Sequence, residues 1–195
     1  MNTIISPISH TIEIKKSKFI TLLFPVHTLK EIESHLSEAK KLYPNANHYC
    51  YAYILESQKR CSDDGEPSKT AGMPILNVLE KQNLDHILCI VIRYFGGIKL
   101  GAGGLVRAYS NAVTDSLSGV TTTKLIFMYR VQFSFPYTLE KVMNQEFQLE
   151  LLSKDYLEEI TYDAYITEEE LIQLKQLLIT FIKIDAPILR SKKEL

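Results

Sequence analysis

The sequence predicts an α+β protein of two domains, and two observations lead to this fold class. Over residues 1–127 strand patterns alternate with helix patterns, and one strand is a continuous β-branched run typical of burial on both faces. From residue 128 the pattern restarts as strand, helix, strand, strand, helix, strand, which is the ferredoxin-like βαββαβ order. We therefore predict domains over residues 1–127 and 128–195.

The elements of the first domain follow from local patterns. Apolar residues over 10–26 predict one long bent strand or a hairpin. Thr28 caps a helix that runs to about Tyr43, with Glu31 placed as in a capping box. Aromatic and small residues then alternate over 48–55, as expected for a strand.

The rest of the first domain surrounds one buried strand. The polar segment 59–72 is so rich in turn-forming residues that we predict a loop throughout. Pro74 opens a short helix, because proline is favoured at the first helical positions. Residues 86–94 form the buried strand, and a helix over 101–117 and a strand over 121–127 follow.

The second domain is predicted with the same rules. Thr167 precedes three glutamates, which favours a capped helix start there. We predict a strand over 128–135, a helix over 139–149 and two strands joined near Asp155 over 151–166. A helix over 167–178 and a strand over 179–188 follow.

Composition excludes several classes of protein. Of the 195 residues, 46% are hydrophobic and 23% are charged, as in ordinary globular domains. No stretch approaches 18 apolar residues, and no basic segment precedes an apolar one at the N-terminus, so we expect a cytoplasmic protein without membrane contact. Three cysteines without CxxC spacing predict free thiols in a reducing compartment.

The net charge of −1 hides an asymmetry between the two halves. Residues 1–126 carry 14 Lys and Arg against 11 Asp and Glu, whereas residues 127–195 carry 8 against 12. Wholesale coating of nucleic acid, as by a strongly basic protein, is therefore excluded, and any such contact would be local.

Glycine is concentrated in one part of the chain. Seven of the eight glycines lie between Gly65 and Gly104, and five of them fall in the run 95–104 between the buried strand and the next helix. Glycines at this place bring backbone N–H groups within reach of a bound anion, and the first N–H groups of a helix are unpaired. The alternative is that the glycines only permit a tight turn and close packing of helix on sheet.

The charge pattern agrees with an anion-binding role. No acidic residue lies between Asp85 and Asp115, whereas three cations do. Among these we expect Arg93 to emerge at the rim of the sheet and Lys99 to be the strongest candidate for touching an anion. The predicted anion- and nucleic-acid-binding face consists of Arg93, Gly96, Gly97, Lys99, Gly101, Gly103, Gly104 and Arg107.

An acidic loop precedes this face. Asp63, Asp64 and Glu66 lie within four residues, and such carboxylates repel one another unless donors, solvent or a cation offset them. Three interpretations remain open: a turn built by side-chain-to-backbone bonds, the edge of a binding cleft, or a Mg²⁺ site. We place these carboxylates at the cleft edge together with His48, and we expect no bound metal or cofactor.

The strand over 48–55 has two distinct faces. His48 and Cys50 share one face, where a partly buried, hydrogen-bonded histidine is preferred over a catalytic Cys–His pair. Tyr49, Tyr51 and Tyr53 share the other, as core residues or as a stacking platform for bases.

Several of these segments together resemble a known family. Residues 62–68, 70–72 and 93–109 are similar to the main motifs of the Impact/YigZ family, and residues 48–50 and 17–19 are similar to its other marks. The resemblance implies a first domain like the second domain of small-subunit ribosomal protein five, and a second domain like the last domain of elongation factor G. It also implies a link to translational control, in which the eukaryotic members act.

The functional hypothesis follows from the face and the resemblance together. We expect a non-enzymatic regulator that binds RNA, or a partner on the ribosome or among translation factors, through the predicted anion- and nucleic-acid-binding face, which is rich in glycine and locally basic. One alternative is an ATP- and Mg²⁺-dependent enzyme, because the implied first-domain fold is shared with small-molecule kinases, with Asp63, Asp64 or Glu66 holding Mg²⁺. The other is a protein-interaction module that binds no nucleic acid.

Overall fold

The computed structural model describes residues 1–56, 58–147, 149–177 and 179–191. The chain forms two compact units, Met1–Thr123 and Lys124–Leu195. Among the helices of the described residues, none combines the length and the apolarity needed to cross a bilayer.

The first unit is built on an antiparallel sheet. Its strands and helices, in chain order, are β1 (Asn2–Ile4), β2 (Ile8–Ile14), β3 (Ser17–Pro25), α1 (Leu29–Leu42), β4 (His48–Leu55), β5 (Gln58–Ser62), α2 (Gly72–Lys81), β6 (Ile87–Tyr94) and α3 (Ala102–Leu117). The sheet has the strand order β2-β3-β6-β4-β5. The predicted segment 10–26 is thus the hairpin of β2 and β3.

Helices cover both faces of this sheet, which explains the buried strand. On one face α2 and α3 enclose a core that includes Phe19, Val91 and Tyr109. On the other face α1 packs over a second core that includes Ile20 and Ile90. Because β6 lies in the centre with both faces covered, every residue from Ile87 to Arg93 is buried.

The start of α1 contains one of the two hydrogen bonds of the predicted capping box, and the second is made by the preceding residue. Thr28 Oγ1 accepts a hydrogen bond from the backbone N–H of Glu31 at 3.2 Å, as predicted. The carboxylate of Glu31, however, accepts from the N–H of His27 at 2.8 Å instead of from Thr28. Both bonds satisfy donors at the helix entrance.

The tyrosine face of β4 packs under α1. Tyr49, Tyr51 and Tyr53 are partly buried against the core of that side, and the hydroxyl of Tyr49 donates to the carbonyl of Tyr43 at 2.6 Å. The structure therefore places these rings as core residues of a covered sheet.

The prediction of a continuous loop over 59–72 was wrong for its first residues. Gln58–Ser62 form β5, which pairs with β4 in the register Tyr51↔Ser62 to Leu55↔Gln58. This is an edge strand, and its charged residues Lys59 and Arg60 are exposed. Charged residues are common on edge strands because they discourage pairing with another chain, so the segment resembled a loop.

The second unit has the predicted βαββαβ order. Its elements are β7 (Thr122–Phe135), a 3₁₀ turn (Tyr137–Leu139), α4 (Glu140–Glu146), β8 (Glu150–Tyr156), β9 (Ile160–Thr167), α5 (Glu168–Leu174), β10 (Thr180–Ile184) and β11 (Ile188–Ser191). β7 pairs antiparallel with β9, β10 and β11, and β9 pairs antiparallel with β8. The α+β, two-domain prediction is confirmed, with the last strand divided in two.

Alternating apolar residues of the second sheet form one core with its helices. Val131, Phe133 and Phe135 of β7 lie with Tyr162 of β9 and Met143 of α4 in this core. At the start of α5, Thr167 Oγ1 accepts from the Glu170 N–H at 3.2 Å while the Glu170 carboxylate accepts from the Thr167 N–H at 2.7 Å. This is the capped start that the sequence predicts.

The region between the two units differs from the prediction. Two strands meeting at residues 127 and 128 were expected, but β7 is one strand from Thr122 to Phe135, and the units divide between Thr123 and Lys124. No glycine, proline, asparagine or aspartate interrupts β7, so its sequence contains none of the residues that usually end a strand.

Candidate functional site

The first unit contains a pocket of about 370 Å³. It lies where the acidic loop 62–72 faces the glycine-rich loop 95–101, and its volume is at the lower end of the range for small-molecule sites. Its lining residues are Asn47, His48, Glu66, Pro67, Arg93, Phe95, Lys99, Leu100, Gly101, Ala102 and Leu105. The structure thus brings residues of the predicted anion-binding face and of the predicted cleft edge to one place.

A buried ion pair lies beside the pocket. Arg93 Nη1 donates to Glu66 Oε1 at 2.6 Å, and the same oxygen accepts from the Tyr109 hydroxyl at 2.8 Å. Arg93 Nη2 lies 3.4 Å from Ser17 Oγ. The side chains of Arg93 and Glu66 are only 6% and 3% exposed. The expectation that Arg93 emerges at the sheet rim was therefore wrong.

Burial of Arg93 has a direct physical cause. It lies in the central strand between β3 and β4, so its neighbours exclude water on both sides. A buried guanidinium needs a counter-charge, and Glu66 supplies it from the acidic loop. Glu66 is accordingly an interior residue at the pocket wall as well as a member of the predicted cleft edge.

Asp63 holds the loop to the start of α2. Its Oδ1 accepts from the N–H groups of Ala71 at 3.0 Å and Gly72 at 2.8 Å, and its Oδ2 accepts from that of Lys69 at 2.7 Å. Burial alone would raise the pKa of Asp63, but these three donors stabilise the carboxylate and lower its pKa below the ordinary value. Ala71, the residue that precedes α2, has no side-chain oxygen with which to cap the helix. Asp63 supplies this cap from the acidic loop.

Asp64 holds the other end of the same loop to β4. Its carboxylate accepts from the Tyr49 N–H at 2.7 Å, and its carbonyl lies 2.8 Å from His48 Nδ1. Because a carbonyl can only accept, His48 Nδ1 carries a proton, and its Nε2 lies 3.9 Å from Glu66 Oε1. His48 is thus a hydrogen-bonded histidine at the pocket edge.

These contacts support the turn interpretation of the acidic loop. The carboxylates of Asp63 and Asp64 are engaged by backbone donors, and that of Glu66 by Arg93. In the part of the chain that the structure describes, no group of three His, Cys, Asp or Glu is arranged to hold a metal ion. The kinase-like alternative therefore lacks free carboxylates in this loop.

Cys50 is a buried thiol next to this network. Its Sγ lies 3.0 Å from the Asp63 carbonyl and 3.3 Å from the Tyr109 hydroxyl. Burial raises the pKa of Cys50 to about 12. The hydrogen bond with Tyr109 acts in the opposite direction, and the negative charges of Glu66, Asp64 and Asp63 raise the pKa further. The thiol is protonated at neutral pH, so it is a structural donor and a poor nucleophile.

Gly96 is required by close packing. A Cβ atom at this position would lie 2.0 Å from the carbonyl carbon of Lys16, in the turn between β2 and β3. Its N–H donates to Ser17 Oγ at 3.1 Å. Gly96 therefore fixes the glycine-rich loop against the hairpin, which supports the packing alternative for this one position.

The start of α3 is open to solvent. Gly101 precedes the helix with φ of 73°, a left-handed conformation that favours glycine, and it has no side chain to cap the helix. The first intrahelical bond runs from the Leu105 N–H to the Gly101 carbonyl at 2.9 Å, so the N–H groups of residues 102–104 precede the hydrogen-bonded ladder. Residues 101–103 are exposed.

Two exposed cations accompany this helix start. Lys99 lies in the loop that leads into α3, and Arg107 lies one turn after Gly103 on the same side of the helix. Together with Gly97, which is also exposed, they form the accessible part of the predicted face. Hereafter, the glycine-rich face means Gly97, Lys99, Gly101, Gly103, Gly104 and Arg107.

Sequence reasoning assigned no role to several residues around the pocket. Asn47 Oδ1 accepts from the Phe95 N–H at 2.7 Å, and the ring of Phe95 is 45% exposed at the pocket. Tyr109 links α3 to Glu66 from the far end of the glycine motif. Ser17 belongs to a segment that resembles a family mark, which was a usable signal, whereas no sequence pattern distinguishes Asn47.

Replacement of Gly96 tests the packing of this loop. We expect Gly96→Ala to lower the free energy of unfolding by about 3 kcal/mol, because the methyl group overlaps backbone atoms that must move. The measurement is urea unfolding followed by far-UV circular dichroism. Gly103→Ala is the control, since a Cβ there meets no atom within 4 Å, and we expect its stability to be equal or slightly higher. Equal stability of both variants would contradict the packing role.

Replacement of Asp63 tests the charged cap of α2. A lowered folded-state pKa contributes stability above the unfolded pKa, and this contribution is lost as pH falls through the folded value. We expect Asp63→Asn to be less stable than wild type at pH 7 and to lose less stability between about pH 5 and pH 2. The measurement is the urea midpoint against pH.

The matched control for this measurement is Glu13→Gln, which removes an exposed carboxylate of β2 in the same unit. It should follow the wild-type pH profile. An Asp63→Asn profile that runs parallel to wild type would show that the charge of Asp63 does not stabilise the loop.

Comparisons with known proteins agree with the fold and the motifs. The family model described as the Impact N-terminal domain matches residues 15–117. The chain is 40% identical over 167 residues to IMPACT family member YvyE of Bacillus subtilis (strain 168), covering 83% of this chain and 77% of that protein. It is 38% identical over 124 residues to IMPACT family member YigZ of Escherichia coli (strain K12), covering 61% of each protein.

Structural similarity extends over both units. A solved structure described as that of a hypothetical protein matches with a TM-score of 0.63 and 26% sequence identity, covering 94% of this chain and 97% of that chain. The match of the domain model over more than half of the chain and the identity to YvyE confirm the resemblance that the motifs indicated. The chain belongs to the IMPACT family.

Proposed function

We propose that this protein is a translation-associated regulator that binds single-stranded RNA through the glycine-rich face and catalyses no reaction. The observation that carries the proposal is the exposed, uncapped start of α3 beside Lys99. Unpaired N–H groups at a helix start and a nearby cation are the groups that bind phosphate in many proteins. The link to translation comes from family membership, since the family motifs imply translational control.

The local charges favour an anion at this face. Two acidic residues of the adjacent loop are engaged: Glu66 is neutralised by Arg93, and the Asp63 carboxylate accepts hydrogen bonds from three backbone N–H groups. Lys99 and Arg107 are exposed, so their charges are available to phosphate. Arg93 is assigned a structural role because Glu66 holds its guanidinium.

A single strand suits this site better than a duplex. Phe95 presents an exposed ring at the pocket, only four residues from Lys99. Bases in a single strand are free to stack on such a ring, whereas those in a duplex are stacked on one another. Phosphate contacts at the helix start would position the strand, and the ring would add affinity with little dependence on sequence.

The number of available cations predicts a weak salt dependence. With about two phosphate contacts, we expect the logarithm of the affinity for short RNAs to fall with the logarithm of salt concentration with a slope of about −1 to −2. Lys99→Ala and Arg107→Ala should each weaken binding and bring the slope closer to zero by about 0.7. The measurement is fluorescence anisotropy of labelled RNA from about 50 to about 200 mM salt.

The matched control is Lys30→Ala, which removes an exposed cation from α1 on the opposite side of the sheet. Its affinity for RNA and its salt slope should equal those of wild type. If wild type binds no RNA at the lowest salt concentration, or if all three variants behave alike, the glycine-rich face does not bind RNA. A protein partner on the translation machinery would then be the better proposal.

A further inference from the structure

The pocket beside the glycine-rich face has features that an RNA strand bound only through its phosphates would not contact. Its wall includes the apolar residues Pro67, Leu100 and Leu105 together with Phe95, and polar residues complete the lining. A pocket that combines apolar walls with a few polar groups is the usual form of a small-ligand site. Its volume of about 370 Å³ admits one compact ligand.

Arg93 retains one donor without a partner. Its Nη1 is bonded to Glu66 and its Nη2 lies near Ser17, but its Nε is buried and has no hydrogen-bond partner in the part of the chain that the structure describes. Arg93 lines the pocket and its side chain is 6% exposed. A buried donor without a partner costs free energy, and this donor belongs to a residue that lines the pocket.

The same pocket includes the start of α3. Lys99, Gly101 and Ala102 line it, and the N–H groups that precede the hydrogen-bonded ladder of α3 begin at Ala102. α3 has 16 residues, so its dipole contributes fully at this end. This side of the pocket therefore favours an anionic group.

Another side of the pocket favours a ligand that donates hydrogen bonds. The Glu66 carboxylate lines it, and His48 Nε2 lies 3.9 Å from Glu66 Oε1. Because His48 Nδ1 is protonated and bonded to the Asp64 carbonyl, a neutral His48 presents an acceptor at Nε2. A ligand with an anion alone would leave these acceptors unused.

Phe95 supplies a surface for a flat ring. It is 45% exposed, and the Arg93 guanidinium carbon lies 5.5 Å from the centre of its ring. The Phe95 N–H bond to Asn47 fixes the backbone from which this ring projects. An aromatic ring held in this way offers stacking to any base.

We propose that this pocket binds one nucleoside monophosphate unit. Its phosphate would contact Lys99 and the first N–H groups of α3, its base would stack on Phe95, and its amino or hydroxyl groups would donate toward Glu66. The unit could be a free nucleotide or the 5′-phosphorylated end of an RNA strand. In the second form the inference rests on the proposed function, and in the first it is independent of it.

The test is calorimetric titration of the full chain with ribonucleoside 5′-monophosphates, the matching nucleosides and inorganic phosphate. We expect at least one monophosphate to bind about tenfold more tightly than its nucleoside, because the phosphate adds charge-assisted hydrogen bonds. Phe95→Ala should weaken that binding at least about fivefold, and Lys99→Ala similarly. Phe95→Tyr, which keeps a ring, should retain most of the affinity.

Arg107→Ala is the matched control, since Arg107 belongs to the glycine-rich face but does not line the pocket. It should weaken RNA binding and leave the affinity for the monophosphate unchanged. All these variants change exposed side chains, and far-UV circular dichroism verifies their folding.

Three results would overturn the inference. They are the absence of monophosphate binding at millimolar concentration, equal affinity of wild type and the Phe95→Ala and Lys99→Ala variants, and binding of inorganic phosphate as tight as that of the nucleotide. RNA binding without nucleotide binding would refute this inference and leave the proposed function intact. Nucleotide binding without RNA binding would support this inference and refute the proposed function.

A competition experiment separates the two sources of the ligand. Two versions of one oligoribonucleotide are compared, with a 5′-phosphate and with a 5′-hydroxyl. If only the 5′-phosphorylated version displaces the bound nucleotide, the ligand of the pocket is the end of an RNA strand. Failure of both oligomers to displace a bound nucleotide identifies a free nucleotide. Either result supports the pocket as the binding site, provided that Phe95→Ala weakens the binding of the nucleotide.

Discussion

The carboxylate of Glu66 joins three parts of the first unit through one oxygen atom. It accepts from Arg93 in the central strand and from Tyr109 in α3, while its own backbone lies in the acidic loop. Each of these groups is buried, so the hydrogen bonds to this oxygen replace those that water would otherwise make. Loss of Glu66 would leave a buried guanidinium without counter-charge, which costs about 3–5 kcal/mol in comparable cases. The position of the acidic loop, and with it one wall of the pocket, depends on this interaction.

This arrangement separates charged residues with structural roles from those available to a ligand. Arg93, Glu66 and Asp63 are engaged inside the unit, where they fix the loop to β6 and to the start of α2. Lys99 and Arg107 remain exposed beside an uncapped helix start. The net positive character of the glycine-rich face therefore comes from two exposed cations and backbone N–H groups, because Arg93 is neutralised within the fold. That distribution favours a few directed phosphate contacts over a broad electrostatic attraction.

Much of the fold could be predicted from the sequence because its signals are local. The cap at Thr28, the apolar run of β6 and the βαββαβ order of the second unit all depend on neighbouring residues. The errors concern tertiary context: Arg93 was expected at a rim because a charged residue ended an apolar strand, and its partner lies 27 residues earlier in the chain. Likewise β5 resembled a loop because an edge strand can be polar. The pocket could not be predicted in the same way, because it depends on contacts between distant residues. Asn47 and Phe95, for example, are 48 residues apart, and no local pattern indicates their hydrogen bond.

The central claim is that the Glu66–Arg93 pair holds the acidic loop and the glycine-rich loop in place together. Hydrogen exchange measured by mass spectrometry on Glu66→Gln tests it most directly, with Glu66→Gln/Arg93→Met as the companion in which no buried charge is left unpaired. The single variant should exchange faster than wild type in both segments, 62–72 and 95–105, and the double variant should recover much of the protection. Unchanged exchange in the single variant, or faster exchange confined to 62–72, would contradict the claim.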